Sequence, residues 1–183
     1  METVSAAAIT ERFGRLFDTL DSDGDGAIDW GDYQRLVDRC AQGYSLEAED
    51  RTAQALRASY QMLWVELLRH SGLSGSRLPD REAFVRAMRA VAEDGSRFNA
   101  TEGLADAVFD LLDEDGDGSI SEAEYLRYAE VLGAAADTAQ ARFKALDTDG
   151  DGSIGREEFI QSAREFLFGD DTESAGGFVF GMV

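Results

Sequence analysis

The sequence predicts an all-α fold: four helix–loop–helix units in two paired lobes, forming a compact unit with short strand pairing between loops. Three observations predict it. A twelve-residue acidic pattern occurs at 21–32, 113–124 and 147–158, with Asp at alternating places, Gly at the sixth and Ile at the eighth. Apolar residues recur at helical spacing on both sides of each copy. Between the first and second copies lies another stretch, about 71–83, that keeps flanking apolar stripes but has lost the acids.

Residues 113–124 carry the pattern in its fullest form. Asp113, Asp115 and Asp117 alternate, Gly118 follows and Glu124 closes the segment. A hard cation such as Ca2+ takes six to eight oxygens at about 2.3–2.6 Å, and a chain turning around it presents alternate side chains inward. Gly118 supplies the positive φ of the sharp turn. Ser119 is expected to offer its backbone carbonyl, Ser121 to act through water, and Glu124 to reach back with both oxygens. This is the EF-hand calcium-loop pattern. Residues 147–158 repeat it with Asp147, Asp149, Asp151, Gly152, Ser153 and Glu158, Gly155 leaving the ninth position to water. Their starts, at 113 and 147, are close enough for a back-to-back pair through Ile120 and Ile154, which would couple binding at the two loops.

The first loop offers Asp21, Asp23, Asp25, the Ala27 carbonyl and Asp32. Its twelfth residue is Asp, one methylene shorter than Glu, so Mg2+, smaller and satisfied by near-octahedral geometry, is expected to compete most there. Asp29 adds an acid at the ninth place, and Trp30 is a built-in reporter. Phe13, Leu16, Phe17 and Leu20 enter this loop, and Tyr33, Leu36, Val37 and Cys40 leave it, all at helical spacing. Cys40 is thus expected to be a buried structural thiol.

Ser45 reads as a helix N-cap, opening a helical pattern that runs to about His70 through Leu56, Tyr60, Leu63, Trp64 and Leu67. The degenerate loop has two frames. Starting at Gly72, its ligand places hold no acid. Starting at Ser71, Leu78 takes the strand place and Glu82 the last. Neither holds Ca2+, and Pro79 would weaken strand pairing there. His70 is read as a helix-end residue. Residues 94–100 form the expected linker between an N-terminal pair, 1–94, and a C-terminal pair, 101–168. Asp137-Thr138-Ala139-Gln140 has capping-box form. The segment 169–183 ends in apolar residues, and Phe178, Phe180 and Met182 are expected to fold back into a groove between helices.

A net charge of −20 weighs against nucleic-acid and anionic-membrane partners. With 10% aromatic residues and clustered acids, bound cations explain the charge better than disorder does. A single cysteine suits a reducing compartment, and the first residues lack a signal-peptide pattern, so a cytoplasmic monomer is expected. No nucleophile–base grouping, phosphate-cradling motif or zinc set is visible, so no catalytic activity is expected.

Four units with a silent second loop, a long first-half spacing, Asp at the end of the first loop and Phe-Leu-Phe-Gly at 166–169 resemble the sarcoplasmic calcium-binding protein and calerythrin family. The resemblance implies a compact two-lobed unit that buffers or transports cytosolic Ca2+. The alternative is a sensor that opens an apolar groove to a protein target. Four methionines, at 1, 62, 88 and 182, favour the buffer, because adaptable sensor grooves use more.

Overall fold

Helix α1 (Glu2–Leu20) buries Phe13, Leu16, Phe17 and Leu20 on one face, the stripe that its spacing implies. A computed structural model of the chain describes residues 2–94, 100–171 and 173–182, with side chains from residue 6 onward. The linker expected at 94–100 falls mainly on 95–99, outside the described residues. Strand β1 (Ile28–Asp29) leads into α2 (Trp30–Gly43), where the Asp29 carboxylate accepts from Gly31 N at 2.7 Å as N-cap. Helix α2 buries Tyr33, Leu36, Val37 and Cys40.

Ser45 does not open the next helix. It takes φ 54°, the left-handed conformation, and Leu46 N bonds back to Ala41 O at 2.8 Å, so this residue terminates α2. Helix α3 (Arg51–Ser71) begins six residues later. Its flanking Asp50 donates no cap, because that carboxylate accepts from Glu47 N at 2.7 Å. Ser is an N-cap former and the left-handed closing position usually falls to Gly or Asn, so the closing turn of α2 here overrides the local preference of Ser45.

Strand β2 (Arg77–Leu78) pairs antiparallel with β1, Ile28 opposite Leu78 and Asp29 opposite Arg77. This register selects the loop frame that starts at Ser71 and ends at Glu82. The pair stops at Pro79, which has no N–H to extend it. Helix α4 (Arg81–Glu93) follows, capped by Asp80 through Ala83 N at 2.8 Å.

The second lobe comprises α5 (Ala100–Leu112), β3 (Ser119–Ser121), α6 (Glu122–Leu132), α7 (Ala136–Leu146), β4 (Ser153–Gly155) and α8 (Arg156–Phe168). Here the strand pair is three residues long and centred on Ile120 opposite Ile154. The capping box expected from Asp137 to Gln140 does not form. Helix α7 starts at Ala136 from an Ala135 cap with no side-chain bond, which puts Asp137 inside the first turn. There an acid still complements the helix dipole without capping.

The lobes share one apolar core. Helix α3 lies on α5, α2 on α6, and α1 on both α4 and α8. The last element, a 3-10 turn at Ala175–Phe180, returns into that core. Phe178 presents its ring edge-on to Tyr125 and Phe159, with centroids at 5.2 and 5.1 Å. Phe180 stacks on Phe166 at 5.3 Å. Tyr128 Oη donates to Phe178 O at 2.9 Å, so the turn's backbone is satisfied inside. Buried Arg12 of α1 holds the approach to this turn, donating to Gly169 O at 2.7 Å and to Asp171 O. Burial lowers the pKa of that guanidinium, partly offset by Glu165 and neighbouring acids.

Candidate metal centre

In loop 113–124 backbone N–H groups aim the acids inward. Asp113 accepts from Asp117 N at 3.1 Å and Gly118 N at 3.0 Å. Asp115 accepts from Asp117 N, and Asp117 from Ser119 N at 2.8 Å. Gly116 and Gly118, at φ 73° and 86°, turn the chain so that these donors converge. Glu124 spans the loop: Oε1 accepts from Glu114 N at 2.9 Å and Oε2 from Ser121 N at 2.8 Å. The Ser119 and Ser121 hydroxyls also donate to Asp117 and Glu124.

Loop 147–158 repeats this network. Asp147 accepts from Asp151 N and Gly152 N, Asp149 from Asp151 N, and Asp151 from Ser153 N. Glu158 joins Thr148 N to Gly155 N, at 2.9 Å each. Burial opposes ionisation of Glu158, but bonds from Gly155, Thr148 and Asp149 outweigh it and hold the carboxyl below its usual range.

Ligand atoms from Asp113, Asp115 and Glu124 lie within 4.8 Å of one another, as do those of Asp147, Asp149 and Glu158. That separation is about twice a calcium–oxygen bond, so one ion can touch them all. The donors are all hard oxygens, with no sulfur or imidazole among them. Such a set suits Ca2+ or Mg2+ and disfavours softer metals.

Loop 21–32 differs at its end. Asp21 accepts from Asp25 N and Gly26 N, Asp23 from Asp25 N, and Asp25 from Ala27 N. Asp21, Asp23 and Asp25 form a cluster of the same size, but Asp32 is outside it. Asp32 is buried, its Oδ2 accepting from Asp29 N at 2.9 Å and its Oδ1 pairing with Arg35. Burial raises its pKa, against the Asp29 N–H and Arg35. Two arginines outside the loop pattern, Arg35 and Arg77, sit among these acids. Arg35 reaches Asp23 at 3.0 Å as well as Asp32, and Arg77 reaches Asp25 at 2.7 Å. The three-residue helical step from Asp32 to Arg35 was a usable signal. Arg77 was not findable without the β1–β2 register.

In loop 71–82 nothing comparable converges. Its Ser71 hydroxyl bonds Leu68 O and Leu73 N, and Glu82 pairs with Arg86 on the surface. Nearby, Glu66, His70 and Asp94 come together, but Arg69 already donates to both acids there.

Comparison with known proteins agrees with this geometry. A family profile described as an EF-hand domain pair matches residues 101–164, and an EF-hand profile matches 14–37. Calerythrin of Saccharopolyspora erythraea is 25% identical over 133 residues, 71% of this chain and 75% of that protein. The sarcoplasmic calcium-binding protein of Perinereis vancaurica tetradentata is 30% identical over 129 residues, 70% and 72% of the two chains. A solved Streptomyces coelicolor calcium-binding protein, described in terms of prokaryotic calcium-mediated regulation, superposes with TM-score 0.70 at 28% identity. That superposition covers 89% of this chain and 99% of the other. With its acidic loops, a second unit whose loop gathers no acids, and paired lobes, the chain belongs to the EF-hand calcium-binding proteins of the sarcoplasmic calcium-binding protein and calerythrin family.

Proposed function

We propose that the chain binds three divalent ions and works as a cytoplasmic, monomeric Ca2+ buffer or transporter with no catalytic role. The ligands are Asp21, Asp23, Asp25, Ala27 and Asp32 in the first site, and Asp113, Asp115, Asp117, Ser119 and Glu124 in the second. Asp147, Asp149, Asp151, Ser153 and Glu158 make the third. When bound, the ion supplies positive charge that cancels repulsion between acids held a few ångströms apart. The protein's part is preorganisation, since backbone N–H groups already fix each carboxylate.

The observation that carries the buffer reading is the 3-10 turn. Phe178 and Phe180 are buried in the apolar core, so the chain fills with its own residues the space that a sensor would open to a target. A second reading, regulation of a protein partner, draws on the calcium-mediated regulation ascribed to the Streptomyces coelicolor relative. Among the described residues no helix is long and apolar enough to cross a membrane.

Calorimetric Ca2+ titration with and without millimolar Mg2+, with a hydrophobic dye in parallel, separates the two. A buffer binds three ions, loses apparent affinity in Mg2+ and leaves dye fluorescence nearly flat. A large Ca2+-specific dye signal would replace the buffer reading with the regulatory one.

A further inference from the structure

We infer that Arg35 and Arg77 are built-in cations of the first loop, competing with the metal so that 21–32 fills last and empties first. This rests on the reading of 21–32 as a metal site. In the other two loops the closing Glu bonds the second loop residue, Glu114 N or Thr148 N, at 2.9 Å. Asp32 is a methylene shorter and makes no such bond; its oxygens go to Asp29 N and Arg35. Arg35 spans the gap instead, its Nε donating to Ser22 Oγ at 2.8 Å and its Nη2 to Asp23 and Asp32. A guanidinium therefore closes the mouth that a glutamate closes elsewhere.

The chain holds its own control. Arg127 stands at the same place relative to loop 113–124, fourteen residues after the first Asp, as Arg35 does to loop 21–32. Arg127 pairs with Glu114, at the loop's second and non-ligating position, stacks 4.7 Å from the Tyr44 ring centroid and donates to Gly43 O. The corresponding second residue of the first loop is Ser22, which carries no charge, so Arg35 turns to the ligand acids. Among the described residues, ligand-position acids of 113–124 and 147–158 pair with no arginine or lysine, whereas Asp23, Asp25 and Asp32 all do.

Arg77 adds a second cation from outside. It comes from the loop that lost its acids, and the β1–β2 register sets it beside Asp29, from where it reaches Asp25. The silent unit thus acts on the first site through charge as well as through strand pairing. A metal entering 21–32 must displace both guanidiniums and then tolerate them nearby. The pairs on Asp23 and Asp25 are exposed and individually weak, and only that on Asp32 has a buried partner, so the penalty is graded, not absolute.

The test is Ca2+ titration of the 183-residue chain by calorimetry, with Trp30 fluorescence following the first loop. Arg35→Gln and Arg77→Gln are each expected to tighten that loop about threefold, and the double variant about tenfold. Arg81→Gln removes a nearby arginine that pairs with Asp18 at 3.2 Å, outside the loop ligands, and should leave affinity unchanged. Asp21→Asn should abolish the Trp30 response. Three ions bound with unchanged affinity in the double variant would overturn the inference while leaving the site reading intact. An equal gain in Arg81→Gln would also overturn it, by reducing the effect to general charge. If the wild type binds two ions and the double variant a third, the inference stands in its strongest form. A third ion in neither protein would sink the inference and the metal reading of 21–32 together.

Discussion

Replacing Glu124 with Gln exchanges an anionic oxygen for an amide in the side chain that ties Glu114 N to Ser121 N. Calorimetry should show affinity at 113–124 falling on the order of a hundredfold, at least what loss of an outer-sphere partner already costs a metal site. Cys40 behaves oppositely, as a group shielded from chemistry. It is buried, and desolvation pushes its thiol pKa up to about 12. Near pH 8 the thiol stays protonated, so a disulfide reagent should leave it unmodified in the native protein and label it rapidly in denaturant. Rapid native labelling would contradict the burial. At this scale the alternating acids were plain in the sequence, because their partners are two to five residues away. The grip of Arg35 on Ser22, thirteen residues distant, depended on how short the side chain of Asp32 is.

Strands β3 and β4 join two loops through Ile120 and Ile154, both wholly buried. An ion that tightens one loop is expected to shift the strand shared with the other, so Glu124→Gln should also weaken binding at 147–158, by a few-fold in the same titration. Unaltered affinity there would mean that the pair is mechanically independent. The β1–β2 pair is shorter and joins one acidic loop to one where no acids gather, so no comparable transfer is expected in the N-terminal lobe. Helix positions were legible from apolar spacing, and their ends were not. Ser45 and Asp137 both carried capping chemistry, yet one closes α2 in a left-handed turn and the other lies inside α7. Both residues favour the N-cap, and in both the packing of the neighbouring helix overrides that local preference. The frame of the silent loop was similarly open until Leu78 was seen opposite Ile28.

Across the whole molecule, a net charge of −20 concentrated in three loops works against the compact state without cations. Ca2+ should therefore raise the thermal midpoint measured by circular dichroism, with about 2.7 kcal/mol of stabilisation per site at a hundredfold excess over its dissociation constant. The C-terminal turn contributes separately. Phe178→Ala should cost about 3–5 kcal/mol in denaturant unfolding, the range for emptying a buried Phe site. Deleting 177–183 should raise hydrophobic-dye binding with or without Ca2+; unchanged binding would mean that the seat closes without the turn. An apolar run near the end of the chain signalled burial, but the partners did not follow from it, since Tyr125, Tyr128 and Phe159 are brought together by two different helices. That seat has a consequence during synthesis. The eight helices among the described residues leave the ribosome before residues 175–180, and Arg12 is made long before Gly169 and Asp171, whose carbonyls it holds. The nascent chain therefore carries an open apolar cleft until residues 175–180 emerge, a period in which chaperone capture competes with closure.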